Sequence, residues 1–300
     1  MKLGISSYCL DRLIKRGQLT IESAIEWAAR SGAECIELVP FSFSFETNAG
    51  EIDQDAIRAI RRRAADAGVE LVNYSVLADL CADDPPERAA SIKRVKRHID
   101  IAAELGLPRM RHDVSGFRRP RGDNGVADFE RLLPLIADGA GELADYAATR
   151  GVTTMIENHG FFANGCDRVE RILLAVNRAN YALLLDTGNV ACVDEDPEAA
   201  AIRLVRYANM IHLKDFYIRR REPGDATEFD CAGSWFRSMA GRYLRGSILN
   251  QGDLDVPAIL KTVKDSGYDG PIAIEFEGME DPLYATRVSI DNARRIWNEA

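Results

Sequence analysis

Short apolar runs alternate with amphipathic segments along the whole chain. Seven of the eight apolar runs follow a segment with helical periodicity, as at Ala24, Ile25 and Ala28, which share one helix face. The eight runs, which we predict to be strands, are Leu3–Ser7, Cys35–Val39, Val69–Ser75, Arg109–Val114, Thr153–Glu157, Ala182–Asp186, Met210–Lys214 and Ile272–Phe276.

Glycine and proline mark the expected ends of the helices. Proline lies at or near the first helical position in Asp196-Pro197 and Val256-Pro257, where its missing N–H costs nothing. A glycine just past the last turn supplies the left-handed residue that ends a helix. Four amphipathic segments end in this way, at Gly32, Gly68, Gly106 and Gly151.

Near-continuous apolar strands that alternate with helices predict a parallel sheet covered by helices. Eight such units in 300 residues match a closed (β/α)8 barrel. A doubly wound sheet is the alternative, but the chain has neither a GxGxxG turn nor a GxxxxGK[ST] loop. No linker or low-complexity segment divides the sequence. We therefore expect an α/β fold, a single TIM-barrel domain over residues 1–300.

The spacing of the last units predicts an extended loop after the seventh strand. Glu157 to Asp186 is 29 residues and Asp186 to His212 is 26, but His212 to Glu275 is 63. The additional segment, residues 216–251, is rich in arginine, glycine and aromatic residues. Loops at the carboxyl ends of barrel strands form the mouth, so we expect a lid or an oligomer contact. An excursion away from the site is the alternative.

Composition and charge exclude several classes of function. The 38 Lys and Arg residues against 47 Asp and Glu residues give a net charge of −9, which disfavours nucleic acid and anionic membrane as partners. No apolar run reaches the roughly 18 residues of a membrane span, and the N-terminus lacks the layout of a signal peptide. Six cysteines without a CxxC pair are typical of reduced thiols. We expect a cytoplasmic protein.

Four ionisable residues end or closely follow the last four predicted strands: Glu157, Asp186, His212 and Glu275. Each alone has an ordinary structural interpretation, as a helix cap, a core histidine or an ion-pair partner. Together they would converge at the barrel mouth, where buried carboxylates are costly unless paired or bound to a cation. We predict one divalent metal ion. Three carboxylates and one imidazole favour Mn²⁺, followed by Mg²⁺ and Co²⁺, with Zn²⁺ less favoured.

Several short strings, taken in their order along the chain, resemble the sugar phosphate isomerase/epimerase superfamily, the xylose isomerase-like barrels. That superfamily includes ketose 3-epimerases, hydroxypyruvate isomerase, inosose dehydratase and endonuclease IV. The resemblance covers nearly the whole chain. Its strings are LGIS at 3–6, IEL at 36–38, IENHG at 156–160, LDTGN at 185–189, IHLKD at 211–215, GDLDVP at 252–257 and IEFEG at 274–278.

The resemblance implies that Glu157, Asp186, His212 and Glu275 bind the metal, and that Glu157 and Glu275 act as a general acid/base pair. The implied function is an isomerase or epimerase that removes a proton next to the carbonyl of a small ketose or sugar-like ketone. A lyase or dehydratase acting on an inosose, a 3-keto sugar or a glycoside is the alternative. A barrel that binds such a ligand without turnover is a third hypothesis. We expect a homo-oligomer, a dimer or a tetramer.

The chain departs from the family pattern in two places. Many members carry a histidine where this chain has Asn189, and the basic residue that ketose epimerases place beyond the seventh-strand histidine has no clean match, because position 218 is isoleucine. Endonuclease IV needs additional histidine ligands for three zinc ions. Four histidines in the whole chain and a net charge of −9 argue against that function.

Further candidates surround the predicted metal site. We expect contacts to substrate from six residues: Glu37, His112, His159, Asn189, Lys214 and Trp235. An ion pair is the alternative for Glu37, a surface or supporting role for His112, and a backbone contact in a loop for His159. His98 lies in a predicted helix, where a structural role is expected.

Overall fold

Eight parallel strands close into a barrel in the computed structural model, which describes residues 1–224 and 233–300. The strands of the described residues are β1 (Lys2–Ser6), β2 (Cys35–Leu38), β3 (Glu70–Val76), β4 (Arg109–His112), β5 (Thr153–Glu157), β6 (Tyr181–Asp186), β7 (Ala208–Leu213), β8 (Asp215–Arg219), β9 (Phe236–Arg237), β10 (Tyr243–Ser247) and β11 (Pro271–Ile274). The barrel contains β1 to β7 and β11, and β1 closes the ring against β11. The predicted barrel is confirmed, and each predicted strand agrees with the observed one to within two residues.

Helices connect the barrel strands, and a large apolar core includes residues of both the strands and the helices. The α-helices of the described residues are α1 (Asp11–Lys15), α2 (Ile21–Arg30), α3 (Gln54–Ala67), α4 (Pro85–Glu104), α5 (Val126–Ala148), α6 (Cys166–Val176), α7 (Pro197–Leu204), α8 (Val256–Asp265) and α9 (Pro282–Glu299). Gly68 ends α3 in the left-handed conformation, and Asp196 caps α7 ahead of Pro197, as the sequence predicts.

An apolar layer fills part of the barrel interior one pleat before the ionisable residues. It includes Cys35, Met155, Leu184, Met210 and Ala273. Side chains alternate along a strand, so residues two positions later face the same interior. Those residues are Glu37, Glu157, Asp186, His212 and Glu275. These five ionisable side chains therefore lie directly above an apolar floor.

The long connection between β7 and α8 forms a small antiparallel sheet. β10 lies in its centre and pairs with both β8 and β9. Residues 225–232 of the predicted loop, including Phe229 and Cys231, lie outside the described residues. Phe216 on β8 and Phe236 on β9 contact each other edge to face, with ring centroids 5.9 Å apart. This aromatic contact joins the two outer strands of the small sheet.

The structure also describes the apolar character of the helices and the state of the cysteines. Among the described residues, no helix combines the length and the apolar character that crossing a membrane requires. The five cysteines that the structure describes are buried and unpaired.

Candidate metal and active site

Four side chains of ligand type converge at the carboxyl ends of β5, β6, β7 and β11. We call Glu157, Asp186, His212 and Glu275 the ligand cluster; one donor atom from each lies within 4.8 Å of the others. The strand register explains this convergence, because His212 pairs with Asp186 on one side and with Ala273, two residues before Glu275, on the other. The structure brings together the four residues that the sequence predicted as ligands.

Two atoms of the ligand cluster are buried without a hydrogen-bond partner among the described residues. They are Asp186 Oδ2 and His212 Nδ1. His212 Nδ1 lies 3.5 Å from Glu275 Oε1 and 3.6 Å from Glu157 Oε1. An unsatisfied buried polar atom costs about 1–3 kcal/mol, and a divalent cation would satisfy both atoms and neutralise the adjacent carboxylates. The donor set of carboxylate oxygens and one imidazole nitrogen therefore fits the predicted ion.

Asp186 is held so that one of its carboxylate oxygens faces the other three residues of the ligand cluster. Its Oδ1 accepts hydrogen bonds from the backbone N–H groups of Gly188, at 2.8 Å, and Asn189, at 2.7 Å. The Asn158 side chain also bonds to both the N–H and the carbonyl group of Asp186, each at 2.8 Å. Burial raises the pKa of Asp186 to about 7 against the opposing effect of Lys214. A bound cation would favour its ionised form.

Glu37 is in contact with His212 and does not line the cavity. Its Oε2 is 2.7 Å from His212 Nε2, while its Oε1 accepts hydrogen bonds from Asn73, at 2.7 Å, and from Ser75. Burial opposes ionisation, yet the imidazole lowers the pKa of Glu37, and the carboxylates raise the pKa of His212 well above its usual value. The structure corrects the expectation that Glu37 accepts a substrate hydroxyl, because protein groups use both of its oxygens. Glu37 instead orients His212 so that Nδ1 faces the ligand cluster.

Lys214 and Asn189, two of the residues predicted to contact substrate, line the cavity beside the ligand cluster. Lys214 Nζ lies 2.6 Å from Glu275 Oε2 and 3.0 Å from Asn189 Oδ1, to which it donates. Asn189 Nδ2 donates to Glu157 Oε1 at 3.1 Å. Burial opposes the charge of Lys214, but the surrounding carboxylates raise its pKa well above the usual value. In turn, the Lys214 ammonium outweighs the effect of burial and holds the pKa of Glu275 low.

Arg111 and Asp113 are site residues that the sequence reasoning missed. The buried guanidinium of Arg111 bridges Glu157 Oε2, at 2.6 Å, and Asp113 Oδ1, at 2.7 Å. Burial opposes its charge, but these carboxylates raise the pKa of Arg111. The sequence could have indicated Arg111, because the buried carboxylate of Glu157 needs a positively charged partner. The neighbouring strand β4 contains this arginine.

His159, which was also predicted to contact substrate, lines the cavity and is held by Asp113. Its Nδ1 lies 3.1 Å from Asp113 Oδ1, and its ring centroid lies 4.9 Å from that of Phe117. Burial lowers the pKa of His159, but the Asp113 carboxylate outweighs that effect and raises it. The next residue, Gly160, has a φ of 69°, and a Cβ there would lie 2.5 Å from the Phe117 carbonyl oxygen. Glycine is therefore required where the His159 loop crosses the Phe117 loop.

His112 does not face the mouth. Because Arg111 points into the barrel, alternation turns His112 outward, where its ring centroid lies 6.1 Å from that of Tyr181. Its Nδ1 lies 2.9 Å from the Asp113 carbonyl oxygen, and burial lowers the pKa of His112 to about 4. The expectation of a substrate contact from His112 is corrected by this orientation.

Trp235 does not line the cavity in the described part of the chain; its neighbour Phe236 does. The Trp235 ring instead lies beside the guanidinium groups of Arg219, at 5.8 Å, and Arg245, at 4.8 Å. Adjacent side chains along a strand face opposite sides of the sheet, so Phe236 faces the cavity and Trp235 faces away from it. Trp235 was predicted to contact substrate, but the structure places Phe236 in the cavity wall at this point and Trp235 outside it.

A cavity of about 300 Å³ opens above the ligand cluster. Glu157, His212 and Glu275 line its charged part together with Glu277, a further residue that the sequence reasoning missed. Burial raises the pKa of Glu277 against the effect of Lys214, whose Nζ lies 3.7 Å from Glu277 Oε1. The cavity gives a ligand direct access to carboxylates, an ammonium group and an imidazole.

The model of the family described as "Xylose isomerase-like TIM barrel" matches residues 25–296. The chain is 25% identical over 259 residues to 3-dehydroshikimate dehydratase of Pseudomonas aeruginosa, covering 85% of this chain and 36% of that protein. It is 29% identical over 210 residues to inosose dehydratase of Yersinia enterocolitica, covering 66% of this chain and 67% of that one. It thus spans only about a third of the length of the first relative.

Solved structures resemble the fold as a whole. D-psicose 3-epimerase of Clostridium cellulolyticum H10, solved with D-tagatose, superposes with a TM-score of 0.72 at 15% identity, with 99% of both chains covered. At that identity the likeness concerns the fold alone. The curated relatives carry dehydratase names and this structural neighbour an epimerase name, so both chemistries occur on the architecture described here.

Proposed function

This chain belongs to the xylose isomerase-like TIM barrel family, and we propose that it is a metal-dependent lyase that dehydrates a polyhydroxylated, sugar-like cyclic ketone. Its substrate would bind in the cavity above the ligand cluster. The observation that carries this proposal is the pair formed by Glu275 and Lys214, a carboxylate and an ammonium group 2.6 Å apart in the cavity wall. Dehydration requires one group that accepts a proton and a second that donates one.

The ligand cluster would hold one divalent cation, with Mn²⁺ favoured by its oxygen and nitrogen donors. When bound, such an ion supplies Lewis-acid polarisation of a ketone oxygen and a template for neighbouring hydroxyl groups. Asp186 and His212 serve only as ligands in this proposal. Their positions are set by Asn158 and Glu37, respectively.

Glu275 acts as the base. Its Oε2 is paired with Lys214, while its Oε1 makes no closer polar contact than the 3.5 Å to His212 among the described residues. It takes the proton from the carbon next to the carbonyl, and the electron pair of that C–H bond forms the new C=C bond. Lys214 donates a proton to the departing hydroxyl as the C–O bond breaks, which yields water and an unsaturated ketone. The proton on Glu275 then returns to Lys214 across 2.6 Å.

Glu157 is less suited to proton transfer because both of its oxygens are engaged. Oε2 is paired with Arg111 at 2.6 Å, and Oε1 accepts from Asn189 at 3.1 Å. The proposal therefore replaces the expected Glu157–Glu275 acid/base pair with Glu275 and Lys214. The dehydratase names of the two relatives described above support dehydration as the reaction.

Epimerisation is the second candidate function. Its support is that Glu157 and Glu275 reach the cavity from different sides: Glu157 ends β5 and Glu275 follows β11, and β6 and β7 lie between these two strands. Carboxylates on two sides of a bound ketone would let one remove a proton and the other return it to the opposite face. That mechanism requires Glu157 to leave Arg111 during turnover.

The test compares products formed by the Mn²⁺-loaded protein from an inosose, from 3-dehydroshikimate and from D-psicose. Dehydration produces a new ultraviolet absorbance, from the unsaturated ketone when an inosose loses water and from the aromatic ring when 3-dehydroshikimate does. Epimerisation in D₂O incorporates deuterium without a new absorbance. We expect dehydration of one of the cyclic ketones. Inversion of D-psicose without any dehydration would refute the lyase proposal.

Two substitutions separate the proposed roles. Lys214→Met should lower the dehydration rate at least ~10²-fold while exchange of the substrate's α-proton with D₂O continues. Glu275→Gln should abolish both reactions, even at saturating Mn²⁺. Lys261→Met is the matched control, because Lys261 is exposed and pairs with Asp265 on the surface of α8. Full dehydration by Lys214→Met would exclude Lys214 as the proton donor.

A further inference from the structure

The cavity wall is chemically divided between the two halves of the barrel. The charged residues of the ligand cluster all come from β5, β6, β7 and β11. The segments that follow β1, β2, β3 and β4 contribute mostly apolar side chains to the same cavity. These are Tyr8, Val39, Phe41, Leu77 and Phe117.

The polar exceptions in the apolar half lie deeper and are already used by the protein. Ser75 donates to Glu37, and Arg111 is paired with Glu157 and Asp113. Ser75 and Arg111 therefore offer a ligand few hydrogen bonds on the apolar side of the cavity. Phe236, from the small sheet that follows β7, adds a further aromatic side chain to the cavity.

Two of these apolar side chains are nearly half exposed. Phe41 is 47% exposed and Leu77 is 44% exposed. The other large apolar residues with comparable exposure in the described chain, such as Leu174 and Ile202, do not line this cavity. Phe41 also contacts Tyr8 edge to face, with ring centroids 5.8 Å apart. Exposed apolar side chains grouped beside a reactive site are typical of ligand contacts.

A small ketone that carries a hydroxyl on every carbon matches only the charged half. Each hydroxyl pressed against Phe41 or Leu77 would lose hydrogen bonds to water and gain none from the wall. An apolar substituent, in contrast, gains from leaving water there. The cavity volume of about 300 Å³ lies at the lower end of the range of pockets that bind drug-sized ligands.

We propose that the substrate carries an apolar, aryl-sized group on its polyhydroxylated ring, and that Phe41 and Leu77 recognise this group. The inference rests on the proposed function only in placing the reacting ring over Glu275 and Lys214. The apolar group then extends across the barrel axis to the loops after β2 and β3. Phe41 and Leu77 determine specificity and take no part in proton transfer.

Isothermal titration calorimetry of the Mn²⁺-loaded protein with phenyl and methyl β-D-glucopyranoside tests the inference. Neither probe contains a ketone, so neither reacts. We expect the phenyl glucoside to bind ~10-fold or more tightly than the methyl glucoside, from the apolar area that its ring removes from water. The Phe41→Ser/Leu77→Ser double variant should reduce this ratio to about threefold or less without weakening Mn²⁺ binding.

The matched control is Leu174→Ser/Ile202→Ser, which removes two apolar side chains of α6 and α7 that are more exposed than Phe41 and Leu77. It should leave the ratio of affinities unchanged. Equal affinity for the two glucosides, including no binding of either, overturns the inference. So does dissociation of an oligomer by the Phe41→Ser/Leu77→Ser variant, since the patch would then be an interface between copies of this chain. Because the probes do not react, a phenyl preference without dehydration of any ketone refutes the lyase proposal alone.

Discussion

Replacing Glu37 by glutamine tests whether a residue outside the cavity controls metal binding. In the native arrangement Glu37 accepts from His212 Nε2 through one oxygen and from Asn73 and Ser75 through the other. A hydrogen on Nε2 leaves Nδ1 of His212 with a free lone pair that faces the ligand cluster. Glutamine has nearly the same shape, so the substitution changes charge and hydrogen bonding more than packing.

The amide cannot reproduce both sets of bonds. If its NH₂ group faces His212, Nε2 must become an acceptor, the ring hydrogen moves to Nδ1, and that nitrogen can no longer bind a cation. If the NH₂ group faces the other way, it opposes the NH₂ group of Asn73. A hydrogen bond to a charged group contributes about 1.5–3 kcal/mol, which corresponds to a loss of roughly 10- to 100-fold in metal affinity. Substitutions behind metal-binding histidines have effects of the same size.

Mn²⁺ affinity can be measured by competition with a fluorescent chelator, and far-UV circular dichroism can verify that the variant is folded. Glu277→Gln is the matched control, because it removes one negative charge near the ligand cluster without touching His212. We expect Glu37→Gln to weaken Mn²⁺ binding at least tenfold more than Glu277→Gln does. Equal losses would mean that net charge alone sets the affinity, and an unchanged affinity for Glu37→Gln would refute the orienting role.

Three further predictions concern stability. In Gly160→Ala, the backbone φ of 69° is unfavourable for alanine, and the new Cβ would lie 2.5 Å from the Phe117 carbonyl oxygen. Urea denaturation should therefore show that the free energy of unfolding falls by roughly 1–3 kcal/mol. A midpoint equal to that of the wild type would refute the steric argument. Burial lowers the pKa of both His98 and His112 from 6.5 to about 4, so below pH 6.5 the folded state binds fewer protons than the unfolded state. Their contribution is therefore fully present above pH 6.5 and is lost as the pH falls toward 4, by roughly 3 kcal/mol for each histidine, and His98→Gln should make the unfolding free energy less dependent on pH over this range. Chelation of divalent cations should lower the unfolding temperature, and Mn²⁺ at a hundred times its Kd should restore about 2.7 kcal/mol; identical melting with and without chelator would contradict a metal site in the folded protein.

The positions of the four cluster residues could be predicted because they depend on where the strands end, which the pattern of apolar residues in the sequence shows. Apolar runs of strand length locate the strands, and a closed parallel barrel brings their carboxyl ends to one mouth. Any ionisable residue at those ends is thus placed near the others without knowledge of side-chain packing. Glu157, Asp186, His212 and Glu275 were identified in this way.

Which way a side chain faces near a strand end is a different question. β2 and β4 each contain only four residues, too few for an apolar–polar alternation to identify the inward positions. The register between β2 and β3 also shifts between Ile36 and Glu37, an irregularity that no local pattern signals. Glu37 was therefore expected to contact substrate although it supports His212, and His112 was expected at the mouth although it is Arg111 that points inward.

The sequence by itself determined the barrel, the order of its strands and the residue types at its mouth, since these follow from local hydrophobic pattern and chain topology. Tertiary structure decided which charges meet: the pairing of Lys214 with Glu275 and of Arg111 with Glu157 joins residues 61 and 46 positions apart. It also decided that Phe41 and Leu77 face the ligand cluster across one cavity. Contacts of this kind depend on side-chain direction and on the packing of distant loops, which the closed barrel imposes and no local stretch of sequence encodes.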